Sequence, residues 1–585
     1  MAPVRASKRK ADAAEAKKAE EKQTAANTSA PRTNVKDRKI ATPKSKTAPK
    51  AAKKAAPEKA EKPASQASQK ASKAAEKTKA APAEKAKKPA AEKKGKKTPI
   101  SPPTSQSQSQ SQSQSQLQSE SFNASSSFNE PEVEHEKAHP RKRGKTSTTA
   151  PPVINKLSSL KLNVYAFGTG DNSELGLGPE PNAKIVKRPR LNPFLLPEKV
   201  GIVAVAIGGM HGLALTHTGQ VYSWGVNDQY ALGRETKVEA REKNVDESDS
   251  DDEEPLNELE STPMLIDSFP EGTVITRIAA GDSISVAVTD TGKVWSWGTF
   301  RCADGILGYT NKIRVQPRPA LMTSIKNVTE ISVGNDHVLA VSSSGSVYAW
   351  GNGQQFQLGR RVVERTRLNG LIPREFGLPR KKVKNVATGS YHSFAITNDG
   401  KVYAWGLNQF GQCGIYDEQK AGEDATVVPV PTRISSLDQY NIVHVAAGEH
   451  HSAAITDDGK LLMWGRLDAN QLGIDLTTLP PADVISDISG KPRFLAVPHV
   501  ISERRFKWIG CGTHHNIAID VDGTAYSWGF GDSYQTGHGP PAVDVPLPTK
   551  IENSATKDVT MVFADAGGQF SVLTGIPKPE TNGTS

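Results

Sequence analysis

Cysteine is scarce: Cys302, Cys413 and Cys511 are the only three in 585 residues. No two of them stand at metal-ligand spacing such as Cys-x-x-Cys, so neither a disulfide framework nor a cysteine-zinc site is expected, and a reducing compartment is. No apolar run approaches the ~18 residues that cross a bilayer. The opening residues, Met1 to Lys10, lack the apolar stretch of a secretory signal. No nucleophile–base pair or metal constellation recurs, so metal, cofactor and enzyme active site are all expected to be absent. The expectation is a soluble intracellular chain with no membrane partner. Large apolar side chains are almost missing from residues 1–100, which are mostly Ala, Lys, Glu, Pro, Ser and Thr. Such a segment cannot bury enough surface to offset the entropy of ordering.

Charge is unevenly placed. Residues 1–150 carry 34 basic and 15 acidic side chains, net +19; the remainder carries 40 basic and 48 acidic, net −8. A basic arm of this kind points to DNA or chromatin, bound without sequence preference and weakened by salt. Lys8-Arg9-Lys10 and Arg141-Lys142-Arg143-Gly144-Lys145 read as phosphate-binding patches or nuclear localisation signals, which implies a nuclear import receptor. Residues 105–118 are near-pure Ser-Gln alternation, a low-complexity spacer.

The rest of the chain repeats itself. From Gly208 a glycine follows 11 residues on, at Gly219, and Trp224-Gly225 ends 17 residues on. The same offsets recur from Gly281, Gly334, Gly389, Gly448 and Gly512, ending at Trp297, Trp350, Trp405, Trp464 and Trp528 with their glycines. Each copy reads as strand, glycine turn, strand. The spacing leaves room for two more strands, making a four-stranded sheet, and sheets that bury both faces against neighbours form a propeller. Residues 567–573 repeat the first half of the unit and 164–168, Val164-Tyr-Ala-Phe167-Gly168, the second half. Joined, they make a seventh copy and remove two free edges. The expected fold is all-β, a seven-bladed propeller over about 155–576 closed by both chain ends, with a disordered arm at 1–150 and a disordered tail at 577–585.

Trp-Gly with a Gly-x-x-His entry and 53–73 residues per unit resembles the regulator of chromosome condensation repeat family. A stand-alone propeller with a basic arm is similar to that family's chromatin-bound guanine-nucleotide exchange factors for the small GTPase Ran. The resemblance implies a nuclear, chromatin-associated exchange factor that promotes GDP release and GTP loading without covalent chemistry. A non-catalytic chromatin-bound propeller scaffold is the alternative.

Positions shared by all copies serve the fold; positions where one copy departs are candidates for function. His211, His337, His392, His451 and His515 share one slot, filled by Ile284 and Phe570 elsewhere, which argues for a structural slot. The two preceding positions vary. The third residue after Trp-Gly or Phe-Gly is Asp171, Asp228, Asp468 or Asp532, but Arg301 in the third unit's longer loop. Taken alone, each aspartate reads as a loop cap. The resemblance implies GTPase contacts for Asp171, Asp282, Asp336 and His450, with His211 a weaker match, and makes Arg301 the arginine of a protruding wedge. It also implies a histidine where Phe570 stands, so that contact is expected to be absent or replaced.

Two insertions stand out. Val245 to Glu254 is acidic, with Ser248 and Ser250 as candidate phosphorylation sites. Residues 360–384 hold nine basic side chains against Glu364 and Glu375; by resemblance Arg360, Arg361, Arg365 and Arg367 face the acidic surface of histones, a role suited to the guanidinium fork.

Overall fold

A computed structural model describes residues 152–237, 255–379, 382–416 and 426–578. The arm, with its basic clusters and Ser-Gln spacer, the tail, and the acidic segment with Ser248 and Ser250 lie outside the described residues.

Seven sheets of four or five strands form the molecule, together with one short two-stranded hairpin. In chain order, blades 1 to 6 span residues 202–265, 275–322, 328–375, 383–433, 442–500 and 506–550. Blade 7 joins Val559–Ala566 and Phe570–Pro577 to Asn163–Thr169 and Ile185–Leu191. Its register pairs Phe570 with Gly168, as blade 1 pairs His211 with Gly225, so the two half-motifs complete one repeat. Innermost strands touch from blade to blade, and Val559–Ala566 of blade 7 meets Ile202–Ile207 of blade 1, closing the ring. Blade 5 departs from the four-strand expectation: Val484–Ser486 adds a fifth strand outside Pro492–Val500.

Second strands such as His211–Thr216 and His392–Thr397 are buried at every position. A strand in the middle of a blade is covered on both faces by neighbouring blades, so alternation of residue type does not become alternation of exposure. The six Trp-Gly tryptophans are all among the fully buried side chains.

A repeated hydrogen-bond latch crosses the blade boundaries. His392 Nε2 lies 2.8 Å from Ser452 Oγ in the next blade; Ser452 donates to Gln412 O at 2.8 Å, and the Trp464 indole donates to the same carbonyl at 2.9 Å. His211 with Ser285, His337 with Ser393, His451 with Asn516 and His515 with Ser571 repeat the contact at 2.8 Å. Because the serine spends its proton on the carbonyl, the histidine must be the donor, which fixes the neutral Nε2–H tautomer. Burial agrees: it pushes His451 down to about 4 and His515 to about 3.

The two slots without histidine explain themselves. Ile284 faces a blade with Val338 in the serine position, and Phe570 faces one with Gly212. A Cβ at Gly212 would sit 2.4 Å from the Trp224 ring, so no serine fits there, and a histidine at 570 would have no hydroxyl to bond. Phe570 is 1 % exposed. Phe570 therefore offers no side chain to a partner, and the slot is interior in every blade.

Candidate functional site

One face of the ring carries the loops that enter each second strand and the loops that follow each Trp-Gly. The other carries the short glycine turns. The two loop types on the first face are locked together. Gly351 adopts φ +114°, and a Cβ there would lie 2.4 Å from Asp336 O, which accepts the Asn352 N–H at 2.7 Å. Only glycine lets the strand end this close to the loop that carries Asp336.

On this face burial raises the Tyr391 pKa, and the charges of Asp282 of blade 2, Glu449 of blade 5 and Asp336 of blade 3 add to the rise, opposed by a hydrogen bond with Asn335. Asp336 is 8 % exposed and accepts the Arg301 backbone N–H at 2.5 Å. Burial pushes Asp336 up to about 7, opposed by that hydrogen bond, with Asp282's charge adding to the rise. Asp282 is pushed up to about 6, mainly by burial; Arg301 opposes and Glu449 adds. Carboxyls shifted this far by burial and by neighbouring charge mark a candidate functional site.

Arg301 lies in the hairpin Phe300–Cys302 with Gly305–Gly308, which projects from blade 2. Its guanidinium is ion-paired with Asp228 of blade 1 and stays 45 % exposed. Asp228, read from sequence as a loop cap, is thus a site residue that was missed. The signal was present: Asp228 and Arg301 occupy the same slot in adjacent repeats with opposite charge. Tyr391 was missed for a different reason, since it is the only phenol at its position and carries no charge to mark it.

His450 is 8 % exposed and reaches its own set of partners. The Gln409 amide nitrogen lies 3.1 Å from Nε2, which leaves the ring proton on Nδ1, facing Glu449 at 3.5 Å. The Phe410 ring meets it edge-on at 4.9 Å. Glu449 also faces His514 at 3.7 Å, and its carboxyl is held below the usual range, first by His450.

Two expected contacts lie elsewhere. His211 is 0 % exposed and belongs to the inter-blade latch, so its side chain cannot touch a partner; its assignment as a contact residue is corrected. Asp171 is exposed on the same face but in blade 7, two blades from Asp282 and three from Asp336. The arginine insertion also divides. Arg367 pairs with Asp304 at the wedge tip and with Glu364 at 2.7 Å, and Arg360 bonds the carbonyls of Gly370 and Ile372 at 3.4 and 3.3 Å. Both arginines are partly engaged within the insertion, Arg367 in exposed pairs beside the wedge, while Arg361 and Arg365 are exposed. Among the described residues no group of three His, Cys, Asp or Glu is placed to hold a metal.

The sequence profile of the RCC1-like domain matches residues 163–573, the whole ring. The chain belongs to the RCC1-like domain family. It is 45 % identical over 432 residues to the guanine nucleotide exchange factor SRM1 of Saccharomyces cerevisiae, covering 72 % of this chain and 88 % of that one. The crystal structure of Prp20p from Saccharomyces cerevisiae, described with its binding properties to Gsp1p and histones, superposes with a TM-score of 0.67 at 43 % identity, covering 73 % of this chain and 94 % of that chain. Yeast RCC1 (Prp20) bound to Kap60 gives the same TM-score at 42 % identity, covering 76 % and 97 %. The RCC1-like ring thus accounts for the seven blades, and the departures from its repeat mark the face described above.

Proposed function

We propose that the chain is a guanine-nucleotide exchange factor for a small GTPase of the Ran class, working in the nucleus while bound to chromatin. The observation that carries the reading is buried Asp336 holding the backbone of the exposed Arg301 wedge, with Asp228 of the neighbouring blade pairing the Arg301 guanidinium, in a chain similar to SRM1 and Prp20p. Nothing covalent is required. A GTPase holds its nucleotide through a phosphate loop, a lysine and Mg²⁺. A factor that binds the nucleotide-free form better must, by linkage, weaken nucleotide binding by the same factor. The buried carboxylates offer the freed lysine a substitute partner, and the wedge displaces the loops around the metal. Because Asp336 sits near 7 and Asp282 near 6, an arriving ammonium group drives off the remaining protons and completes their ionisation.

The described residues begin on the turn side of blade 2. Ile154 and Asn155 donate backbone N–H groups to Asp290 O at 2.8 and 2.9 Å, and Asn155 bonds Thr289 O and Val328 O. Asp290 begins the glycine turn of blade 2, opposite the loop that holds Asp282. Residues 154 and 155 thus lie on the face opposite the loop that holds Asp282. The arm's basic clusters fit an import receptor, as Prp20 binds Kap60. The buried Phe570 slot does not favour the scaffold alternative, since no blade presents that position to a partner.

Mixing the purified chain with Ran carrying fluorescent GDP tests the reading. Release is expected to accelerate many-fold over the intrinsic rate, and to slow with Arg301→Ala and Asp336→Ala. Release no faster than in buffer would overturn it.

A further inference from the structure

Among the described residues, blade 5 differs from the other six blades in one respect that the site described so far does not use. Its fifth strand, Val484–Ser486, and the start of Pro492–Val500 form a hairpin at the end of the blade where Arg466 pairs with Phe494. That is the end carrying Glu449 and His450, so the turn 487–491 stands proud of the same face as the wedge. In the ring, blades 2 and 5 are three steps apart, the greatest separation seven blades allow. The two projections therefore stand far apart on the same face of the ring.

The turn is rigid. Asp487 Oδ1 accepts N–H bonds from Ser489 at 2.8 Å and Lys491 at 2.9 Å and the Ser489 hydroxyl at 2.6 Å, and Asp487 N donates to Lys491 O at 2.9 Å. Its base is tied by Asp483 and His499 at 2.9 Å. At the tip this turn presents Ile488, 110 % exposed, the most exposed large apolar side chain among the described residues. At the foot, Arg493 is exposed and its guanidinium lies 5.2 Å from the Phe410 ring centre, the same ring that Arg466 approaches at 5.0 Å and that meets His450 edge-on. Arg466 is engaged by Asp468 through two bonds of 2.6 and 2.9 Å. Arg493 lies against the aromatic face and is exposed, and a guanidinium is the group suited to bidentate recognition of a carboxylate.

We infer that hairpin 484–495 is a second prong that docks the same GTPase from the side opposite the wedge, Ile488 entering an apolar spot and Arg493 taking a carboxylate on its surface. The inference rests on the exchange-factor reading and on continuity with it, since the foot of the hairpin touches the residue that fixes His450. The wedge acts on the nucleotide site. The prong is distant from it and contributes binding that is equal before and after nucleotide loss. Such uniform binding changes KM and leaves kcat alone.

The test is steady-state exchange on Ran–GDP with the full-length chain and its Ile488→Asp and Arg493→Ala variants, with thermal unfolding to verify folding. Each variant is expected to raise KM by about fivefold or more, as truncating a side chain at the heart of an interface does, with kcat within twofold. The Arg493→Ala effect is expected to shrink as salt rises. Arg301→Ala in the same assay lowers kcat. If the unmodified chain accelerates release but both prong variants keep KM within twofold of it, the inference fails and the exchange reading stands. If the unmodified chain does not accelerate release at all, both fall.

Discussion

His450 and His451 are neighbours in the chain and belong to different regions of the molecule. His451 points into the ring, fully buried, one of five histidines in an identical latch. His450 points along the loop face and meets Gln409, Phe410 and Glu449, outside the latch. The interior is seven near-copies of one solution. The loop face has no repeat, and its departures are where charge is concentrated and carboxylates are pushed out of their usual range. In a ring of identical sheets, stability depends on what the blades share and recognition on what they do not.

The largest expected break of that contrast is in the interior. Trp464→Ala empties a fully buried site and removes the indole bond to Gln412 O, and should lower the unfolding free energy by roughly 3–5 kcal/mol in denaturant titration. On the loop face, Arg301→Ala should leave the melting temperature nearly unchanged and slow Ran–GDP release by about 5- to 150-fold, the usual span of a coupling energy. An equal loss of stability in both variants would erase the distinction.

Phe570→His sharpens it. The resemblance alone makes this a gain of a site residue. The structure makes it a buried imidazole with no serine across the boundary, so it should cost roughly 1–3 kcal/mol and leave the exchange rate of the folded fraction untouched. Faster exchange would return the slot to the site.

Asp336→Asn separates the two roles within one residue. The carboxyl, raised to about 7, binds its proton more tightly folded than unfolded. Its contribution to stability is complete below the unfolded value near 4 and is lost as pH rises through 7. The amide keeps an acceptor for the Arg301 N–H and never ionises, so the variant should be more stable than the parent at pH 8, by on the order of 1 kcal/mol, and similar at pH 5. Its exchange activity should fall. In the parent, exchange should rise between pH 6 and 8 as Asp282 and Asp336 ionise; a flat profile would remove the carboxylates from the mechanism.

Much of this was legible from residue types. The fixed offsets between Gly208, Gly219 and Trp224 name the strands and turns, and the half-motifs at 164–168 and 567–573 name the closure. Asp282, Asp336, Arg301 and His450 stand out because they break a repeat. Asp228 and Tyr391 did not, because their roles depend on a neighbouring blade. His211 was misassigned because the same letter fills a scaffold slot in five blades.

The linear order of residues was enough to set the number of blades, their strand pairing and the way the ends meet, because these follow from local period and turn chemistry repeated at constant spacing. Which side chains share a face, which arginines are already engaged by Asp228 or Asp304, and how far a carboxyl's proton affinity moves were decided only when the ring closed. Those properties depend on distances between blades and on exclusion of water, and neither is defined until residues far apart in the chain are brought together.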